Sequence, residues 1–309
     1  MKPRTSHSLA AMRRYIQMSR DQVFIFVEGR DLDPFVYGQI CGPVCKHQNK
    51  TYEIVISDRV SGGSGGKEVL ALLFDNLQAS NFLIDRSASD PKLAMFYLDK
   101  DVDDLFATPR VSNHIVYTRH YCIENHIFCE GDLPTSIAIA ASLDRDVILA
   151  RMPDPRAWRE RAASLWRDWV ALCLVARELT LSGPAGYSAN ESTINRPADS
   201  PVDATCLAAH ISDMETRSGL PAADFRTKLT NAENMVDTAL RRHEHDSIFK
   251  GKWYAKFALR EMELASGGNP FNATGAKDRL VGGLIASLDW GNPWVEHFRH
   301  PLRTALAAL

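Results

Sequence analysis

Five consecutive apolar residues, Val23-Phe-Ile-Phe-Val27, follow a polar start, and an unbroken run of this length suits a strand covered on both faces. Ser8 to Met18 ahead of it has the spacing of a short helix. Behind it comes Glu28-Gly-Arg-Asp-Leu-Asp-Pro34, where Asp33 suits a helix cap and Pro34 the first turn of a helix carrying Phe35 to Ile40. Tyr52-Glu-Ile-Val-Ile56 reads as a second strand, followed by a glycine-rich loop from Ser61 to Gly66. A helix from about Lys67 to Ile84 places Val69, Leu70, Leu73, Leu77 and Phe82 on its inner face. Leu93 to Leu98 is a third strand and Ile115 to Thr118 a fourth. Strands alternating with helices predict a parallel sheet with right-handed crossovers.

The second half changes character. Pro155 to Thr180 spaces Trp158, Leu165, Trp166, Trp169, Leu172, Cys173 and Ala176 as one buried helical face. Gly183 to Pro201 has the Gly, Pro, Ser and Asn content of an exposed loop. Further helices are expected around 203–217, 221–242, 251–265 and 275–289, and Pro301 predicts a broken helix in Trp294 to Leu309. The fold class expected is therefore α/β, a sheet flanked by helices, followed by a mainly α-helical C-terminal domain. The boundary falls between about 130 and 155, giving domains of 1–135 and 136–309.

Composition narrows the setting. With 45% hydrophobic and 24% charged residues, the chain of 309 residues reads as an ordinary globular protein. No apolar run reaches the roughly 18–20 residues of a membrane span, and the basic start lacks a secretory signal's apolar stretch. A cytoplasmic location and no membrane association are expected. The six cysteines read as small core residues. A zinc site is the sharper alternative, from His120, Cys122, His126 and Cys129 or from Cys41, Cys45 and His47, but neither group has C-x-x-C pairs. The net charge of −2 argues against a generic nucleic-acid coating protein. Basic residues nevertheless cluster at Lys2, Arg4, Arg13, Arg14 and Arg20, and at Arg241, Arg242, Lys250, Lys252, Lys256 and Arg260. These are either solvated helix faces or, beside an acidic metal centre, contacts to a phosphate backbone.

The chemistry-bearing pattern is acidic. Glu28 ends the first strand and Asp99-Lys-Asp101-Val-Asp103-Asp104 follows the third. Carboxylates at two strand ends supply the hard oxygen ligands that Mg2+ or Mn2+ takes, and two such ions roughly 4 Å apart can activate water and stabilise a leaving oxygen in phosphodiester cleavage. On a continuing strand Asp99 and Asp101 face the same side, and Asp103 keeps that period only if the strand runs on. The plainer alternative is a solvated turn with helix-capping acids. If Glu28 and the Asp99 group share a site, the first and third strands are neighbours, the strand order is 2-1-3-4, and the site lies at the switch point beyond the strands' carboxyl ends.

Val27-Glu28-Gly29 followed by Asp31 or Asp33 resembles the first motif of Toprim domains, and Leu98-Asp99-Lys-Asp101 resembles the second. This likeness covers about the first 130 residues. Phe26-Val-Glu-Gly-Arg-Asp-Leu-Asp33, Tyr121-Cys-Ile-Glu-Asn125 and Phe249-Lys-Gly-Lys-Trp253 together resemble the AriB-type effector subunits of PARIS anti-phage systems. The resemblance implies a metal-dependent nuclease held inactive by a partner ABC-type ATPase (AriA-like), released on infection, dimerising, and cleaving host transfer RNA to stop growth. It carries Glu28, Asp99 and Asp101 over as the metal centre and Glu124 as a further acidic residue, while Asp103 remains a metal candidate from the acidic run itself. Common Toprim nucleases place an acid at a fixed offset after the first Glu, and Asp31 and Asp33 both compete for that place.

Weaker signals surround this centre. Ser61-Gly-Gly-Ser-Gly-Gly-Lys67-Glu68 departs from the phosphate-loop pattern at its first Gly and after its Lys, leaving a flexible loop feeding a helix. Lys250-Gly-Lys252 sits among Trp253, Tyr254 and Phe257. Either it starts a helix with its lysines in water, or Lys252 is a phosphate contact or transition-state charge stabiliser. A catalytically inactive Toprim-fold scaffold subunit of an ATPase complex is the competing function, with a Toprim enzyme of another class behind it.

Overall fold

Val23–Val27 forms β1, and all five side chains are buried. The reason is visible in a computed structural model describing residues 7–60, 65–86, 90–107, 109–181, 186–187, 198–267 and 274–309. β1 hydrogen-bonds in parallel to β2 (Tyr52–Ile56) on one side and β4 (Lys92–Leu98) on the other, so that Val27 lies opposite both Ile56 and Tyr97. Helices cover both faces. On one, Phe26 stacks on Phe96 with ring centroids 4.8 Å apart, and Phe96 meets Phe74 of α3 (Lys67–Ala79). Met12 and Ile16 of α1 (Leu9–Met18) join that core. On the other face, Tyr97 packs on Tyr37 of α2 (Asp33–His47) and Phe298 of α14 (Glu296–Ala307), and its hydroxyl donates to the Phe298 carbonyl at 3.1 Å.

The sheet is mixed, with five strands rather than the four parallel ones expected. The strand path is β2-β1-β4-β3, where β3 is Ile84–Asp85, and β5 (Ile115–Tyr117) also pairs with β4. The additional strand, β3, runs antiparallel against Leu93 and Lys92, while β5 runs parallel beside Phe96 to Leu98. It arises because α3 stops at Ala79, not near Ile84. Asn81 takes φ +53°, Phe82 N–H donates to the Leu77 carbonyl and Asn81 N–H to the Gln78 carbonyl, which together form a Schellman stop that turns the chain back to the sheet. The last segment departs from expectation in the opposite sense. α14 runs unbroken through Pro301, with Phe298, Leu302 and Ala305 buried and the Arg299 guanidinium donating to the Ile40 carbonyl at 2.9 Å. This packing outweighs the lost backbone donor.

The described chain divides into two units. The first comprises Met1–Lys100, Thr108–Thr118 and Asp289–Leu309, and the second Asp101–Ala107 and Arg119–Leu288. The described elements of the second are helical: α4 (Asp103–Phe106), α5 (Ile123–Glu130), α6 (Leu133–Ala141), α7 (Arg145–Arg151), α8 (Pro155–Leu165), α9 (Arg167–Glu178), α10 (Ala204–Ser218), α11 (Ala222–Arg241), α12 (Gly251–Ala265) and α13 (Ala276–Ala286). The single helix expected over 155–180 is interrupted at Trp166, whose backbone (φ −103°, ψ 19°) leaves helical geometry. Its buried indole packs against Phe249, Trp253 and Phe257. Most of the loop expected at 183–201, and Ser61 to Ser64, lie outside the described residues. Among the described residues no helix is long and apolar enough to cross a membrane.

The two later motifs interlock within the helical unit. Asn125 Oδ1 accepts the Gly251 N–H at 3.0 Å, and Asn125 Nδ2 donates to the Phe249 carbonyl at 2.9 Å. A Cβ on Gly251 would fall 2.5 Å from the Asn125 nitrogen and 2.8 Å from the Glu124 carbonyl carbon, so backbone packs directly on backbone. Gly251→Ala is expected to lower stability by about 2 kcal/mol through overpacking. Urea unfolding of the variant checks this, and an unchanged midpoint would contradict the account.

Candidate metal centre

Because Val27 pairs with Tyr97, the chain leaves β1 and β4 side by side, carrying Glu28 and Asp99 to the same edge. The Asp99 N–H donates to Glu28 Oε1 at 2.8 Å, joining the two carboxylate-bearing residues directly. Glu28 is also held through its backbone. Its carbonyl accepts the Ser57 hydroxyl at 2.7 Å, and Ser57 Oγ accepts the Gly66 N–H at 2.8 Å. Ser57 is fully buried and links the ends of β1 and β2 to the start of α3. One turn on, the Gly29 N–H donates to Asp33 Oδ2 at 2.7 Å, and a Cβ on Gly29 would meet Asp33 Oδ1 at 2.7 Å. Asp33 is therefore not the helix cap expected of it. Leu32 holds that position, and the Asp33 carboxylate braces the turn after Glu28 instead. Asp31 is exposed.

Tyr37 marks the same place from below. Burial pushes its hydroxyl well above the usual tyrosine range, and the charges of Asp99, Asp33 and Glu28 push it further. Neither Ser57 nor Tyr37 was singled out in the sequence. The available signals were Ser57's position just after β2 and Tyr37's place one helical turn after Asp33.

The other predicted residues belong to the second unit. β4 ends at Leu98, so the two-residue period relating Asp99 to Asp101 does not continue. Asp101 takes φ +53°, a conformation Asp tolerates better than most residues, and its N–H donates to the Tyr121 carbonyl at 2.7 Å. Asp103 opens α4 and pairs with Arg177. Glu124, in the first turn of α5, lies with Oε1 3.3 Å from Lys252 Nζ, while its buried Oε2 has no hydrogen-bond partner among the described residues. The structure thus brings together Glu28 with Asp99, and Glu124 with Lys252. Other members of the later basic segment are engaged internally: Lys250 Nζ donates to the Tyr187 carbonyl at 2.7 Å, and Arg260 pairs with Asp199 and Glu263.

The donor chemistry of Glu28 and Asp99 fits a divalent ion of the Mg2+ or Mn2+ type, which binds through one or two carboxylates and completes its shell with water and substrate phosphate. The fit extends to these two carboxylates. Among the described residues no group of three or more His, Cys, Asp or Glu is arranged to hold a metal. Of the cysteine and histidine groups considered for zinc, Cys41 and Cys45 are buried thiols, Cys45 pushed up to about 12 by burial. His126 Nε2 accepts the Arg119 N–H at 3.2 Å, and Cys129 Sγ donates to Asp246 Oδ2 at 3.3 Å.

No protein-family model matches the chain, and no curated protein matches it.

Asp246 is the hub of a buried polar cluster in the helical unit. Tyr254 donates to Asp246 Oδ1 at 2.8 Å, Asn125 Nδ2 lies 3.3 Å from the same oxygen, and Arg159 Nε lies 3.6 Å from Oδ2. Burial raises the Asp246 carboxyl, but the positive charges of His245 and His120, once protonated at the acidic pH where the carboxyl titrates, and of Arg159 outweigh it and hold the group below the usual range. Burial keeps His120 and His245 below the ordinary histidine value of 6.5. Both histidines are thus neutral in the fold at neutral pH, and below pH 6.5 the unfolded chain takes up their protons first. Stability is therefore full above that pH and declines as pH falls through the depressed folded values. His245→Gln is expected to flatten this decline in melting temperatures recorded between pH 7 and pH 5. An equally steep decline in the variant would contradict it.

Proposed function

We propose that the first unit is a Toprim-like nuclease centre dependent on Mg2+ or Mn2+, with Glu28 and Asp99 as its core ligands. The carrying observation is the Asp99 N–H to Glu28 Oε1 hydrogen bond across the paired ends of β1 and β4. Counted without the two-residue β3, the pairings run β2-β1-β4-β5, which supports a 2-1-3-4 arrangement with the carboxylates at its switch point. A bound ion would supply positive charge for the phosphoryl oxygens and lower the pKa of a water molecule. The chain's own part is placement. Ser57 holds the Glu28 carbonyl, Asp33 holds the turn after it, and the Asp99 N–H orients the Glu28 carboxylate. The reaction is hydrolysis, in which water oxygen bonds to phosphorus, the bond to the leaving ribose oxygen breaks, and that oxygen takes up a proton.

Resemblance to the AriB-type effectors extends the proposal to an endoribonuclease that cleaves host transfer RNA in anti-phage defence, restrained by an AriA-like ABC-type ATPase and active as a homodimer. The interlocking of the Tyr121–Asn125 and Phe249–Trp253 motifs supports reading them as one functional element. The second reading, a catalytically inactive Toprim-fold subunit, draws on the ion pairs of Asp103 with Arg177 and Glu124 with Lys252 and on the absence of a three-donor group among the described residues. Calorimetric titration with Mg2+ separates the two, since an inactive fold should not bind the ion.

Inducing the protein with and without a neighbouring ATPase, then sequencing small-RNA ends, tests the main proposal. A site-specific transfer RNA cut that disappears in Glu28→Ala and Asp99→Ala, with both variants folded, is the expected result. Full cutting by both variants, or no cut by the wild-type chain freed of the ATPase, would overturn it.

A further inference from the structure

Lys67 opens α3 directly after Gly66, and its ammonium donates to the Lys100 carbonyl at 3.2 Å. Lys100 is the neighbour of Asp99, and its N–H donates to Thr118 Oγ1 at 2.8 Å, fixing it to the end of β5. The Lys67 ammonium also lies 5.7 Å from the centroid of the Tyr117 ring, a cation–π contact that holds the charge at this edge. Gly66, immediately before it, is tied through Ser57 to the Glu28 carbonyl. One cation is thus anchored, by backbone and side-chain contacts independent of each other, at the edge where Glu28 and Asp99 end. Lys252, the alternative phosphate contact offered by the sequence, lies in the helical unit with its ammonium 3.3 Å from Glu124 Oε1.

We propose that Lys67 is the side chain that contacts the substrate phosphodiester in the first unit. The inference rests on the nuclease reading of that site and names a residue for it. A phosphodiester carries one negative charge over two non-bridging oxygens, and a carboxylate pair alone repels it. An ammonium beside Asp99 offsets that repulsion and donates hydrogen bonds to an oxygen of the phosphate. A lysine serves as a point charge here, so arginine should substitute in part.

The test uses the full chain and the dinucleotide UpU as probe, titrated calorimetrically in Ca2+ to hold it uncleaved, alongside Mn2+ titrations and melting curves. Lys67→Met and Lys67→Gln are expected to weaken UpU binding by about tenfold or more, as loss of a charged hydrogen bond does, and Lys67→Arg by about threefold. All three should keep wild-type Mn2+ affinity and melting temperature, which a merely structural lysine would not. Equal UpU affinity in Lys67→Met and wild type, no UpU binding by wild type, or loss of Mn2+ affinity matching that of Glu28→Gln would overturn the proposal. Failure of the carboxylate reading looks different. Glu28→Gln would then bind Mn2+ as the wild type does, while the UpU titrations still decide the role of Lys67.

Discussion

The parallel pairing of β1 with β4 is the constraint on which the candidate chemistry depends. It sets Val27 opposite Tyr97, and from that register Glu28 and Asp99 must emerge together. Both strands are buried along their whole length, so a slip of one residue would exchange Phe26 and Phe96 with the residues facing α2 and α14. The Tyr37–Tyr97–Phe298 cluster on one face and the Phe26–Phe96–Phe74 cluster on the other resist that slip from both sides. The carboxylate geometry is thus a consequence of hydrophobic packing a few residues away.

Around that edge, short-range polar contacts finish what the register begins. Ser57 sits between the Glu28 carbonyl, to which it donates, and the Gly66 N–H, from which it accepts. Gly29 is small because Asp33 closes over it, and Asp33 is buried because it braces that turn. Asp101, by contrast, belongs to the helical unit and takes a left-handed backbone, an arrangement that in folded proteins is concentrated at functional positions. The helical unit has its own organising polar group in Asp246, which gathers Tyr254, Asn125 and Arg159 from three helices.

Features carried by side-chain period were the ones legible in the sequence. The five-residue run of β1, the strands ending at Ile56 and Leu98, and the helices Ala204–Ser218, Ala222–Arg241, Gly251–Ala265 and Ala276–Ala286 all lie within a few residues of expectation. Features set by tertiary partners were not. β3 is two residues long and has no pattern of its own, and it exists because a Schellman turn delivers it to the edge of β4. Pro301 and Trp166 misled in opposite directions, since packing keeps a helix intact at the first and breaks one at the second. In the site, Glu28 and Asp99 were legible because carboxylates at strand ends are conspicuous. Ser57 and Tyr37 were not, because a serine after a strand and a tyrosine in a helix carry no signal until the fold sets them beside Glu28. The two-residue period assumed for Asp99 and Asp101 failed because the strand stops at Leu98.

The central claim is that Glu28 and Asp99 together hold a divalent ion. Anomalous X-ray scattering from crystals of the full chain soaked in Mn2+ tests it most directly. A single strong peak about 2 Å from carboxylate oxygens of both residues is expected. A map with no peak at the ends of β1 and β4, or with ions only elsewhere on the chain, would contradict it.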